Sequence, residues 1–145
     1  PRPAHPARPP PPPHQADETG PVADALLPDW AVDSDVVVEA LLKLGVQVNM
    51  YNGVRDLSSC NHIGNLNVLR ALAWDGAAEF LAAPNAPWPS AKNVQGHIRS
   101  AGCSTSPAGE NACLLQFATV LRTGHLVPTV VPEAFKTLLA LMIGE

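Results

Sequence analysis

No apolar run comes near the ~18–20 residues that a membrane-spanning helix requires; the longest candidate, LLALMIG close to the C-terminal end, is far shorter. Basic excess is also missing. A formal charge of -4 and a pI near 5.7 leave no electrostatic footprint for nucleic acid, and the acidic surplus is too small for a polyelectrolyte tail. Pro1 to Pro13 hold no apolar core of a secretory signal. The expectation is either a numbering that begins inside a longer precursor or a protein that stays inside the cell, and Pro1 in place of Met favours the first. Cysteine is scarce: three residues, an odd count, and no C-x-x-C pair. One disulfide and one free thiol in an oxidising compartment fit that count. No N-x-Ser/Thr acceptor for glycosylation occurs.

Proline is abundant, but in one place: nine of the sixteen lie within Pro1 to Pro21. Proline has no backbone donor and a fixed φ, so this stretch can adopt polyproline II but no packed element. Residues 1–28 read as a proline-rich linker or disordered arm, with an SH3 or WW ligand as the functional alternative. His5 and His14 fall inside it and need no function.

Residues 29–145 have the composition of one globular domain. Asp33 or Ser34 can cap a helix over VVVEALLKL, which Gly45 ends in a left-handed conformation. VQVNMY alternates, with Val46, Val48 and Met50 on one side, and predicts a strand broken by Asn52-Gly53. A second helix covers Ile63 to Leu72 and is closed by Trp74-Asp75-Gly76. Pro84 to Pro89 is expected to be irregular. VQGHIRSAG and LLQFATVL predict an antiparallel hairpin around a loop from Gly102 to Ala112. Pro132 suits the first turn of a last helix with Phe135, Leu138, Leu139 and Met142 on one face. Trp74 and Trp88 read as core anchors. Helices alternating with about three strands indicate an α/β fold with a partly parallel but incomplete sheet, which leaves an open edge.

Two loops follow predicted strands. YNGVRDL places Asp56 just past the first strand, and RTGHLVP places His125 just past LLQFATVL. In open α/β sheets functional groups gather beyond the carboxyl ends of strands, and acid followed by histidine is the hydrolase chain order. Each residue also has a structural alternative, a turn-capping aspartate and a packing histidine. Cys103 and Cys113 bracket STSPAGENA and are candidates to staple the hairpin. Cys60 with His62 offers too few ligands for zinc, so no metal is expected. His97 reads as a surface or packing residue.

YNG-x-x-D, CNHIGN, W-x-G-x-x-E-F, V-x-G-x-I-R-x-A-G and GHLVP followed by PEAF resemble the serine carboxypeptidase family, from about Asp35 to Ile143. The resemblance implies the C-terminal part of an α/β-hydrolase fold, with Asp56 as the acid and His125 as the base of a catalytic triad. Cys60 looks like the buried free cysteine that many members hold near the active site. Leu126 stands where the family lines the leaving-group side of the pocket. The implied activity is serine-type hydrolysis of C-terminal residues from peptides, without a cofactor, in the secretory pathway, lysosome, vacuole or outside the cell.

The family's nucleophile sits in a Gly-x-Ser-x-Gly elbow upstream of the acid, and none occurs here. The implied partner is therefore a serine-bearing N-terminal chain or segment, and this chain alone is expected to be inactive. An acyltransferase on the same scaffold and an inactive interaction fragment are the alternative readings. Three local departures stand out. Leu57, Ser58 and Ser59 separate Asp56 from Cys60 where the family usually has two residues. Val130-Val131 replaces a common Asp-Gln, and Thr123 stands where glycine is frequent.

Overall fold

The computed structural model describes residues 20–30, 34–57, 59–90, 92–105 and 111–144. The polyproline reading of residues 1–19 lies outside them. The chain divides into two units, Pro1–Asp33 and Ser34–Glu145. In the first, helix α1 runs over Pro21–Trp30, so the stretch read as an arm through residue 28 ends in a helix. Pro21 occupies its first position, where a missing N–H costs nothing, and Asp24 N–H bonds to Gly20 O at 2.9 Å.

The second unit begins with α2, Asp35–Lys43. Ser34 is at the cap position but makes no side-chain cap bond. Its backbone is already helical (φ -84°, ψ -9°), whereas a capping oxygen reaches back from an extended residue. Gly45 ends the helix at φ 75°. Gly45 N–H bonds to Leu42 O at 3.0 Å and Val46 N–H to Leu41 O at 2.9 Å, the paired bonds of a Schellman ending.

Strand β1, Val48–Gly53, leads through the site loop into α3, His62–Ala71, and then α4, Ala77–Ala82. Strands β2 (Ala86–Ser90), β3 (Asn93–Thr105) and β4 (Asn111–Val120) follow, and α5 (Val127–Val130) and α6 (Pro132–Ile143) end the unit. The sheet order is β1-β4-β3-β2. β1 runs parallel to β4, while β3 is antiparallel to both β4 and β2.

Among the described residues the sheet thus has four strands rather than about three, because the Pro84 to Pro89 region is not irregular. Pro87 and Pro89 lie in β2, an edge strand, where proline breaks no essential ladder. Trp88 anchors that strand. It sits opposite Gly96 and passes its indole N–H across β3 to Thr119 O, 3.0 Å away on β4. A Cβ on Gly96 would strike that same oxygen.

Alternation along β4 separates two cores. Leu115 and Phe117 pack with Leu42, Leu69, Trp74 and Phe80, so this face is covered by α2, α3 and α4. Ala118 and Val120 pack with Trp88, Val127, Leu138 and Met142 on the face covered by α5 and α6. Both tryptophans read as anchors are buried. Leu139 is a correction: it is 47% exposed, because the buried face of α6 follows Phe135, Leu138 and Met142, with Leu139 turned about 100° from Leu138. The side-chain amides of Gln47, Asn49 and Gln116 all donate to Met142 O at 2.8–3.3 Å, tying the end of α6 to β1 and β4.

Candidate active site

The site forms where β1 and β4 end side by side, Gly53 opposite Val120. The chain leaves β4 through Arg122, a non-glycine residue at φ 65°, and brings Thr123 and Gly124 back over the end of β1. Val54 N–H bonds to Val120 O and Arg55 N–H to Thr123 O, each at 3.0 Å. Gly53 makes this crossing possible, since a Cβ there would overlap the carbonyl oxygens of Gly124 and Thr123.

The two loops then bring Asp56 and His125 together, although they are far apart in sequence. His125 Nδ1 lies 2.7 Å from Asp56 Oδ2. The carboxylate is also clamped from behind: Ser59 N–H donates to Oδ1 and Cys60 N–H to Oδ2, both at 3.2 Å. Its side chain is only 5% exposed, whereas that of His125 is 57% exposed. A buried, fixed carboxylate on Nδ1 sets the tautomer that leaves Nε2 to take up a proton. The extra residue of the Leu57–Ser59 segment therefore does not draw the carboxylate away from the ring.

Behind the loop, Asn52 Nδ2 donates to Cys60 O at 2.7 Å, and Asn65 Nδ2 donates to Asn52 Oδ1 at 3.0 Å. Asn52 is buried, and Asn61 caps α3 by accepting from Gly64 N–H at 2.7 Å. Sequence reasoning missed this amide network. Asn61, an Asn just ahead of the helical pattern, was the available signal, but nothing marked Asn52 and Asn65 as partners.

An open hollow of about 370 Å³ lies over the pair, lined by Tyr51, Asn52, Asp56, Cys60, Asn65 and His125 among others. Cys60 is exposed, which corrects the expectation of a buried thiol. Its backbone N–H and C=O are held by Asp56 and Asn52, and the residue is left on the rim of the hollow. Leu126 is 60% exposed at the start of α5 and does not line the hollow. Thr123 is buried with its hydroxyl unpaired.

Cys103 and Cys113 face each other across β3 and β4 and form a disulfide. His62 and His97 line a separate hollow of about 530 Å³ flanked by α3. Among the described residues, the group able to offer metal ligands is thus not Cys60 with His62. It is Asp56, Cys60 and His125, whose ligand atoms all lie within 4.8 Å of one another. Arg99 plays no part in the site. Buried, with its guanidinium over the Phe80 ring, it donates to the carbonyls of Phe80 and Leu81 and to Asn85 Oδ1. Burial, aided by nearby Arg70, lowers the pKa of its guanidinium.

A parallel strand pair with an acid and a histidine beyond its carboxyl ends, flanked by helices on both faces, matches the layout of part of an α/β-hydrolase fold. The chain belongs to the serine carboxypeptidase family, whose model matches residues 17–145. It is 32% identical over 110 residues to a serine carboxypeptidase-like protein of Pisum sativum, covering 76% of this chain and 34% of that one. Serine carboxypeptidase 3 of Oryza sativa is 31% identical over 113 residues, covering 78% of this chain and 20% of the relative. The crystal structure of a prohormone-processing carboxypeptidase from Saccharomyces cerevisiae superposes with a TM-score of 0.59 at 20% identity, over 76% of this chain and 22% of that one. That likeness concerns the fold. The chain spans between a fifth and a third of the length of these proteins.

Proposed function

We propose that this chain supplies the acid and the base of a serine-type carboxypeptidase, Asp56 and His125, to a nucleophilic serine carried by an N-terminal chain or segment. The observation that carries the reading is the 2.7 Å contact between His125 Nδ1 and a clamped, buried Asp56 carboxylate at the ends of adjacent parallel strands. Family membership supplies the reaction class.

In this reading Nε2 of His125 takes the serine proton as the serine oxygen adds to the last peptide carbonyl. Asp56 holds the ring and stabilises the imidazolium. The proton then passes to the leaving nitrogen, the C-terminal residue departs, and an acyl-serine remains. Water repeats the cycle, giving its proton to Nε2 and releasing the shortened peptide and the serine. Cys60, on the rim of the hollow, borders the substrate. Leu126 reaches substrate only if the complementary segment folds over α5. The disulfide agrees with a secretory, lysosomal, vacuolar or extracellular setting. An acyltransferase would use the same pair, with an alcohol in place of water.

The test is to purify the protein from its source and treat it with a fluorophosphonate probe. The reading expects a longer partner chain or segment to be labelled on serine, and the label to vanish with His125→Ala. If no serine is labelled, the catalytic reading fails and the chain is a hydrolase-derived binding fragment.

A further inference from the structure

We propose that Asp56, Cys60 and His125 form a reversible chelating site for a borderline-soft divalent cation, with zinc(II) as the type, and that the occupied site cannot act as an acid–base pair. Only the second clause rests on the function proposed above.

The donor set is one carboxylate, one thiol and one imidazole, with the ligand atoms within 4.8 Å of one another. Carboxylate, thiolate and imidazole are the protein ligands zinc takes, at bonds of about 2.0–2.3 Å. Tetrahedral geometry at those lengths places donors roughly 3.3–3.7 Å apart. From the present spacing, Asp56 and His125 must open slightly beyond 2.7 Å, with the sulfur already within 4.8 Å of both. The burial pattern permits this. Asp56 is fixed by the Ser59 and Cys60 N–H groups, while the imidazole is more than half exposed and Cys60 is exposed. One ligand is anchored and two can adjust.

The Asn65–Asn52–Cys60 O chain also fixes the backbone of the thiol residue. Such outer bonds orient ligands and raise affinity. Zinc takes four ligands, so three protein donors leave one for water or a small carboxylate, and all three residues line the hollow. A thiolate and a carboxylate balance the charge of the ion. Cys103 and Cys113 are joined, so among the three cysteines Cys60 is the thiol available. An ion bound to both Asp56 and Nδ1 takes the place of the proton between them. The direct contact by which Asp56 orients the imidazole is then lost.

The test is calorimetric titration of the purified full chain with zinc chloride, paired with cadmium chloride, whose thiolate bond absorbs in the ultraviolet. The expected result is one ion per chain, with a cadmium–thiolate band. Cys60→Ser abolishes the band, and Cys60→Ser, Asp56→Ala and His125→Ala each weaken zinc binding tenfold or more. His62→Ala, next to the site in sequence but lining the other hollow, leaves binding unchanged. Circular dichroism of each variant verifies that it is folded. Absence of saturable one-to-one binding overturns the proposal, as does affinity that survives both Asp56→Ala and His125→Ala, which marks a lone thiol. In the source protein, zinc should suppress fluorophosphonate labelling, and a chelator should restore it. Zinc binding to a protein with no labelled serine upholds the site and removes the hydrolase reading; labelling with no zinc binding does the reverse.

Discussion

Gly53 lies where the end of β1 meets the loop carrying His125, and a single methyl group there perturbs the site without touching the side chain of Asp56 or His125. The Cβ of an alanine would sit 2.6 Å from Thr123 O and closer still to Gly124 O. Both are backbone atoms, so no flexible side chain can yield. Restoring a normal separation of about 3.5 Å requires the two segments to part by about 1 Å. The Arg55 N–Thr123 O bond, now 3.0 Å, would then lie outside hydrogen-bonding range. Overpacking costs about 1–3 kcal/mol and the lost bond about 1 kcal/mol, so Gly53→Ala should destabilise the chain by about 2–4 kcal/mol. The same parting separates Asp56 from His125, and a displacement of about 1 Å is enough to cost about 100-fold in rate. Gly124→Ala is the control. Its Cβ would meet Arg55 and Asp56 backbone atoms at 3.7–3.8 Å, ordinary contact, so its stability should stay within about 1 kcal/mol of the parent. Urea unfolding measures the first quantity, and the low-field Nδ1 proton resonance of His125 reports the second. If Gly53→Ala is as mild as Gly124→Ala and the proton is unmoved, the packing argument is wrong.

Three further outcomes follow from the same geometry. Thr123→Val replaces a buried, unpaired hydroxyl by a methyl of similar size, so thermal unfolding should show equal or higher stability, by up to about 1 kcal/mol. Arg99→Ala removes bonds to two carbonyls and an amide and should cost about 2–4 kcal/mol in denaturant unfolding; Arg99→Lys should recover little, because one ammonium cannot reproduce the guanidinium fork. Glu39 accepts Ala73 N–H at 2.7 Å and pairs with Lys43, and the Ala73 bond is the chief cause of its lowered pKa. A carboxyl with a depressed folded pKa contributes stability above the ordinary glutamate range and loses it as pH falls through the folded value. Glu39→Gln should therefore flatten the acid limb of a stability–pH curve, and an unchanged limb would assign no role to this contact.

Much of the fold could be read from local pattern. The one-sided apolar face of α6, the cap and Gly45 around α2, the alternation in β1 and the apolar, β-branched run of β4 are local signals, and the structure follows them to within a residue or two at most ends. What escaped depended on neighbours. Pro87 and Pro89 argue against a strand by themselves, and only the edge position of β2 and the gap over Gly96 accommodate Trp88 there. Short α4 and α5 carry too few residues to show a period. Leu139 fitted the apolar stripe of α6 yet lies outside its buried face. At the site, loop positions at the ends of two strands pointed to Asp56 and His125, and the fold brings them together. The network of Asn52 and Asn65, the crowding at Gly53 and the rim position of Cys60 arise from contacts between segments distant in the chain, which no local pattern encodes.

The most direct test of the account is the peptide-hydrolysing activity of the complete source protein carrying Asp56→Ala, His125→Ala and both together. Residues acting as one unit lose activity non-additively. Each single change should lower kcat by roughly a thousandfold or more, and the double variant should be no worse than His125→Ala alone. Activity within a few-fold of the parent in either single variant would contradict the assignment of Asp56 and His125 as acid and base.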